Sequence, residues 1–291
     1  MARICVTGAS GKAGRATVAE LLEHGHEVIA TDLVAPRENI GVAVLLADLT
    51  DYGQTVDVLD GVESVVHLAN IPGPDIRPPV ETFNTNATMN FNVFYAAAQL
   101  RLSRVVWASS ETTLGLPFDQ PPRYVPIDEE HYPLPTTTYS LSKVVSETLA
   151  EQIAAWSGIP FVALRFSNIL GPEDYPTFPS YWDDARLRKW NLWSYIDVRD
   201  AATACRLSLE APVQGATSFI IAAADTVMNR PTAELLHAVF PDVPLTREVG
   251  EYGSLLSSER ARDALGFEPR HSWRDEPTAE SARSGSTSPS T

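Results

Sequence analysis

The chain has 291 residues, 44% hydrophobic and 20% charged, enough to bury one large core or two unequal ones. Lys plus Arg total 22 against 37 Asp plus Glu, a net charge of −15 with no basic run, which argues against nucleic acid or an anionic membrane as partner. Cys5 and Cys205 stand far apart without CxxC or His-rich company, so neither a disulfide framework nor a metal site is expected. No apolar run approaches the roughly eighteen residues of a membrane span. Arg3 is followed by a short apolar run and a glycine turn from Gly8, unlike a signal peptide, so the expected location is the cytoplasm.

Short β-branched runs then alternate with longer amphipathic ones, the pattern of βαβ units on a parallel sheet. Strands are predicted at Arg3–Thr7, Glu27–Asp32, Val42–Ala47, Ser64–Leu68, Arg104–Ser109 and Phe161–Arg165. Helices are predicted near Ala13–His24, Thr50–Leu59, Phe83–Leu100 and Thr138–Ser157. Several strands are apolar throughout, as strands covered on both faces should be. After Arg165 the period is lost in a segment rich in Pro, Tyr, Trp and Asp. A helix near Val198–Glu210, a strand at Ser218–Ala222 and helices near Pro231–Phe240 and Ser258–Leu265 follow. The expected fold is α/β, a Rossmann-type doubly wound parallel sheet over residues 1–165 with about 192–225 returning to it. A small substrate lobe over 166–275 and a disordered, Ser/Thr/Gly/Pro-rich tail over 276–291 complete it.

Val6-Thr7-Gly8-Ala9-Ser10-Gly11-Lys12-Ala13-Gly14 leaves the first strand and opens the first helix. Glycines at this spacing let the backbone approach a pyrophosphate, and the helix N-terminus adds N–H donors and a positive dipole end. Gly8, Ser10, Gly11, Lys12, Ala13 and Gly14 are therefore candidate cofactor contacts. Asp32, eighteen residues beyond Gly14, stands where a carboxylate accepts from the adenosine ribose and repels a 2′-phosphate, favouring NAD over NADP. Arg15 and Arg37 keep the NADP alternative open. Asp48, with Leu49 beside it, is either an adenine contact or an N-cap.

Tyr139-Ser140-Leu141-Ser142-Lys143 begins a predicted helix, so the phenol and the ammonium share a face. A free tyrosine ionises near pH 10, and a neighbouring cation is expected to lower that value. Upstream, Ser109 and Ser110 run off the fifth strand; either holds a substrate oxygen or satisfies local backbone. The aromatic cluster Tyr175, Phe178, Tyr181, Trp182, Trp190 and Trp193 either lines a sugar pocket or fills the lobe core.

Together these motifs resemble the extended short-chain dehydrogenase/reductase superfamily of NAD-dependent sugar epimerases, dehydratases and dehydrogenases, over about residues 2–270. Further matches are His67-Leu68-Ala69, Asn86, Leu164-Arg165-Phe166-Ser167-Asn168 and Ser194-Tyr195-Ile196-Asp197-Val198-Arg199-Asp200. The resemblance implies Ser110 as substrate-orienting hydroxyl, Tyr139 as general acid/base and Lys143 as its activator. It adds Leu68, Ala69, Asn86, Ala108 and Phe166 to the cofactor site. Ser109, Ser110, Glu111, Thr112, Asn168 and Arg188 become the substrate contacts. Dehydratases of the group carry Thr-Asp-Glu where this chain has Ser110-Glu111-Thr112, which disfavours dehydration.

Only 29 residues lie between Arg165 and Tyr195, a space suited to a substrate smaller than a nucleotide sugar. Ala108-Ser109-Ser110 followed by Gly115 is similar to uronate dehydrogenases, where Arg188 would meet the uronate carboxylate; Arg188 equally suits a surface pair with Asp183 or Asp184. Pro72 departs from that pattern, standing where those enzymes place a substrate-contacting serine. The expected activity is NAD-dependent oxidation of a hydroxyl of a sugar, uronate or polyol. A sugar epimerase is the alternative, and a non-catalytic dinucleotide-binding regulator the third reading. The superfamily's pairing of the two long helices implies a homodimer, unless both apolar stripes face the sheet.

Overall fold

The computed structural model describes residues 1–131 and 133–276. The expected tail falls, beyond Glu276, outside the described residues. In chain order the strands are β1 (Arg3–Thr7), β2 (Glu27–Asp32), β3 (Val44–Leu46), β4 (Ser64–His67), β5 (Arg104–Ser110), β6 (Phe161–Phe166), β7 (Ile169–Leu170), β8 (Ile196–Asp197) and β9 (Ala216–Ile221). Helices are α1 (Lys12–Glu23), α2 (Tyr52–Leu59), α3 (Pro79–Leu100), α4 (Thr138–Ser157), α5 (Val198–Glu210), α6 (Thr232–Val239) and α7 (Glu259–Leu265). Seven strands form one parallel sheet in the order β3-β2-β1-β4-β5-β6-β9, and β7 pairs with β8 separately. The order reverses at β1/β4, so a crevice opens there outside the carboxyl ends of the strands.

Successive residues of the central strands feed two cores. Ile4, Val6, Val66, Val106 and Leu164 meet Val18 and Leu21 of α1, Ala204 of α5 and Leu265 of α7. Cys5, Val65, Val105, Trp107 and Ala163 meet Leu59 of α2, Phe94 and Ala97 of α3 and Ile153 of α4. That two-residue alternation is why β1, β4 and β6 read as continuous apolar runs. Phe94 stacks edge-on with both Trp107 and Phe161 at 5.2 Å between centroids. Burying such a ring stabilises by roughly 2–3 kcal/mol.

Most spans shift by one or two residues, and two differences have a clear cause. Helix α3 starts a turn early, at Pro79, because proline is pre-set for the first helical position and gives up no needed N–H there. Strand β3 is shorter than predicted; it is the sheet edge, and Leu45 and Leu46 lie exposed on it.

A third core belongs to the lobe. Phe178, Trp193, Tyr195, Leu235 and Leu255 pack with Leu114, Phe118 and Ile127 from the β5–α4 connection. Backbone bridges Val125–Leu245 and Ile127–Leu256 tie that connection to the lobe. These bridges hold the lobe to the segment that leaves the carboxyl end of β5. No helix among the described residues is long and apolar enough to cross a membrane.

Candidate active site

At Gly8, φ is +69°, and a Cβ there would lie 2.6 Å from the Ala69 nitrogen. At Gly14 a Cβ would lie 2.0 Å from the Gly8 oxygen. Only glycine permits this turn and the close seating of α1 on it. Asp32, at the end of β2, accepts from the Ser10 N–H (2.9 Å) and the Val34 N–H (3.2 Å), which fixes the carboxylate beside the turn. Arg15 donates to the Ser10 carbonyl at 2.7 Å. The Lys12 ammonium pairs with Glu173 at 3.1 Å and with Asp174, joining the turn to the segment after β7. Asp48 accepts from the N–H and hydroxyl of Thr50 at 2.9 and 2.7 Å; the N-cap of α2 is Asp51.

Helix α4 opens with a capping box in which Thr137 and Ser140 exchange side-chain-to-backbone bonds. That cap sets the helical phase, and Tyr139, Ser142, Lys143, Ser146 and Ala150 form its buried stripe at three- and four-residue spacing. Tyr139 and Ser110 line the same cleft, and the Ser110 oxygen accepts from the Thr112 N–H (3.2 Å) and hydroxyl (3.0 Å). With its acceptor capacity used by Thr112, the Ser110 hydroxyl keeps its proton for a partner in the cleft. Lys143 Nζ donates to the Ala108 carbonyl at 2.7 Å and lies 5.6 Å from the centre of the Tyr139 ring.

The expected lowering of the phenol pKa is not found. Burial pushes Tyr139 up to about 12, with the Ser110 hydrogen bond opposing it, and burial draws Lys143 down to about 7 against the pull of Glu147. Desolvation is the largest cause for both groups.

One cleft of about 810 Å³ is lined by every proposed cofactor residue except Asn86: Gly8, Ser10 through Gly14, Asp32, Asp48, Leu49, Leu68, Ala69, Ala108, Tyr139, Lys143 and Phe166. Asn86 instead clasps the backbone of Ile71, accepting at 2.8 Å and donating at 3.1 Å, and so shapes the loop that itself lines the cleft. The site fits a dinucleotide: a turn that any Cβ would fill, a fixed acid at the ribose end, and a length reaching Ser110.

Of the substrate candidates, Ser109, Ser110, Glu111, Thr112 and Asn168 line the same cleft and Arg188 does not. The Ser109 hydroxyl is committed to Glu147 (2.6 Å), which also takes a two-pronged bond from Arg165 at 2.9 and 2.7 Å. Arg188 forms no surface pair either, since Asp184 caps its own turn. It is buried, donates to Asn168 Oδ1 at 3.1 Å, and its guanidinium lies 4.8 Å from Trp190 and 5.2 Å from Tyr181. Among the six aromatics only Trp190 lines the cleft; Phe178 and Trp193 are fully buried lobe core.

A polar chain behind the site went unread in the sequence. Thr7 accepts from the N–H groups of Leu68 and Ala69, both at 3.2 Å, so its hydroxyl proton goes to His67 Nδ1 at 2.7 Å. His67 Nε2 then donates to Asn90 (2.9 Å), and Asn90 donates to Ser146 (2.7 Å). Burial holds His67 down to about 3, in keeping with this neutral tautomer. A histidine in an otherwise apolar strand was the available signal.

Residues 4–222 match the NAD dependent epimerase/dehydratase family. The chain is 27% identical to a UDP-glucose 4-epimerase of Lacticaseibacillus casei over 92% of both chains. It is 31% identical to an L-arabinose 1-dehydrogenase (NAD(P)(+)) of Haloferax volcanii over 60% of this chain and 70% of that one. A short-chain dehydrogenase/reductase superfamily protein from Agrobacterium tumefaciens with bound NAD superposes over 94% of both chains, with a TM-score of 0.73 and 24% identity. The parallel sheet, the glycine turn and the Tyr139/Lys143 face thus agree with an independent sequence match over three quarters of the chain, and the protein belongs to the NAD-dependent epimerase/dehydratase family.

Proposed function

We propose that the chain is an NAD-dependent dehydrogenase that oxidises a hydroxyl of a sugar or related polyol. The observation that carries this reading is the continuity of the cleft: the glycine turn and Ser110, Tyr139 and Lys143 line one space. Its substrate end is walled by Trp190, which Arg188 backs. Gly8 through Gly14 would hold the pyrophosphate and Asp32 the adenosine ribose, favouring NAD over NADP. The nicotinamide supplies the hydride acceptor.

The chain's own groups manage the proton. Ser110 holds the substrate oxygen, and Tyr139 takes its proton when ionised. Lys143, one turn along, stabilises the ionised phenol and donates to neighbouring oxygens. Because burial pushes the phenol up to about 12, Tyr139 needs further positive charge nearby, which an oxidised nicotinamide would supply when bound. The short β6–β8 segment and the likeness to an aldose dehydrogenase support a free sugar. Appearance of reduced nicotinamide across a panel of aldoses, uronates and polyols tests this; no turnover with any member contradicts it.

The near full-length likeness to UDP-glucose 4-epimerases favours a second reading, in which hydride returns to the opposite face of the sugar. Product analysis with UDP-sugars separates the two, since an epimerase accumulates no reduced nicotinamide. We further infer a homodimer through α3 and α4. Phe91 and Trp156 are 44% and 58% exposed and flank Tyr95, an apolar face suited to a second copy. Sedimentation at the monomer mass contradicts that.

A further inference from the structure

We infer that Glu173 and Asp174 hold Lys12 in an ionic clasp between the glycine turn and the segment after β7, and that this clasp slows release of the bound dinucleotide. The inference rests on the reading that Gly8 through Gly14 hold the pyrophosphate.

Lys12 is the first residue of α1, within the glycine turn, and it lines the cleft. Its ammonium meets Glu173 at 3.1 Å and also Asp174, which stands 162 residues further along the chain. Both acids follow β7 closely, and Ile169 of β7 lines the same cleft. The two ion pairs therefore join two walls of one space.

The acidic half of the clasp is held in place by its own turn. Asp174 accepts from the Gly171 N–H at 2.8 Å and returns its own N–H to the Gly171 carbonyl at 2.8 Å. A Cβ at Gly171 would lie 2.5 Å from Glu173 Oε2, so the glycine leaves room for that carboxylate. Next along, Tyr175 is buried in the lobe core and donates to Asp197, the N-cap of α5.

An ammonium has three N–H groups, so pairing with two acids leaves one for a phosphate oxygen. Burial draws the Lys12 pKa down, but hydrogen bonds to Asp174 and Glu173 hold it above the ordinary lysine value, and the charge persists at neutral pH. A dinucleotide between these walls leaves once they part, and parting them breaks both pairs. Each pair of this half-exposed kind is worth up to about fivefold in an equilibrium constant. Asp174 is the stronger partner, at 29% side-chain exposure against 62% for Glu173.

The test follows NADH leaving the full-length chain. Bound NADH is chased with excess NAD in a stopped-flow instrument, and its fluorescence gives the dissociation rate. Asp174→Asn keeps an oxygen for the Gly171 N–H but loses the charge, and should release NADH about fivefold faster than the wild type. Glu173→Gln should do so about twofold, and Lys12→Met about tenfold. Adding Asp174→Asn to Lys12→Met should change nothing further, because the acid acts through the ammonium. An unchanged rate in Asp174→Asn overturns the clasp. Slower release overturns it too, since the acids would then only compete with the pyrophosphate for Lys12. If Asp174→Asn does not fold, Glu173→Gln decides on the same readout. Wild-type chain that binds no NADH overturns the clasp and the cofactor reading together, whereas normal binding with unaltered release overturns the clasp alone.

Discussion

The two ends of the cleft are built from different material. At the glycine-turn end, the parts are mostly backbone: a turn whose shape follows from missing Cβ atoms, a helix N-terminus, and one acid at the end of the adjacent strand β2. At the other end, the parts are side chains brought in from the β5 exit, the β6 exit and the lobe, namely Glu111, Asn168 and Trp190, with Arg188 behind them. The first kind is local and tolerates no side-chain choice. The second depends on how the lobe packs, and can change its chemistry without disturbing the sheet.

The largest expected effect lies where the two ends meet. Removing the phenol oxygen in Tyr139→Phe should lower kcat by about 10²- to 10⁴-fold with little change in melting temperature, read by initial rates beside thermal unfolding. A mild loss would separate the chemistry from α4 altogether.

The lobe supplies the next contrast. Phe178→Ala should cost about 3–5 kcal/mol of stability in denaturant unfolding, because that ring is wholly buried, while leaving KM near the wild-type value in whatever protein remains folded. Trp190→Ala should do the reverse, raising KM at smaller cost in stability. Matching effects from the two would mean that Trp190 is only core.

Behind the cofactor end, His67 predicts a pH signature. Its folded pKa is about 3 against an ordinary value of 6.5, so between those limits the unfolded chain binds the extra proton. The stability associated with neutral His67 is therefore whole above pH 6.5 and is lost as pH falls toward 3, at up to roughly 1.4 kcal/mol per pH unit. The unfolding midpoint of His67→Gln should fall less steeply with acid, by about one proton's worth; parallel curves would contradict the neutral tautomer.

The smallest effect concerns cofactor choice. Asp32→Ser should shift the NADP-to-NAD ratio of kcat/KM upward by about tenfold, with Arg15 at hand for the 2′-phosphate. No shift would remove Asp32 from the ribose.

This division also explains what the sequence made legible. Strand β1 and helices α4 and α5 agree with their predicted spans, because periodicity and capping are local. Tyr139 and Lys143 could be paired from spacing alone. The bond between Ser109 and Glu147 spans 38 residues, and the Glu111–Asn191 bond spans 80. No local pattern encodes either, so the sequence leaves open whether Ser109 meets a substrate or a neighbour, and the structure gives it Glu147. Arg188 is equally open from sequence, because its partners Asn168, Trp190 and Tyr181 are assembled only by the folded lobe. The same limit applies to the phenol, whose burial outweighs the nearby ammonium.

The most direct test follows hydrogen from the sugar. An aldose carrying deuterium at every carbon, incubated with NAD, should release reduced nicotinamide bearing one deuterium for each oxidised sugar, seen by mass spectrometry. An epimerised sugar that retains its full deuterium complement, with no labelled nicotinamide released, would contradict the account.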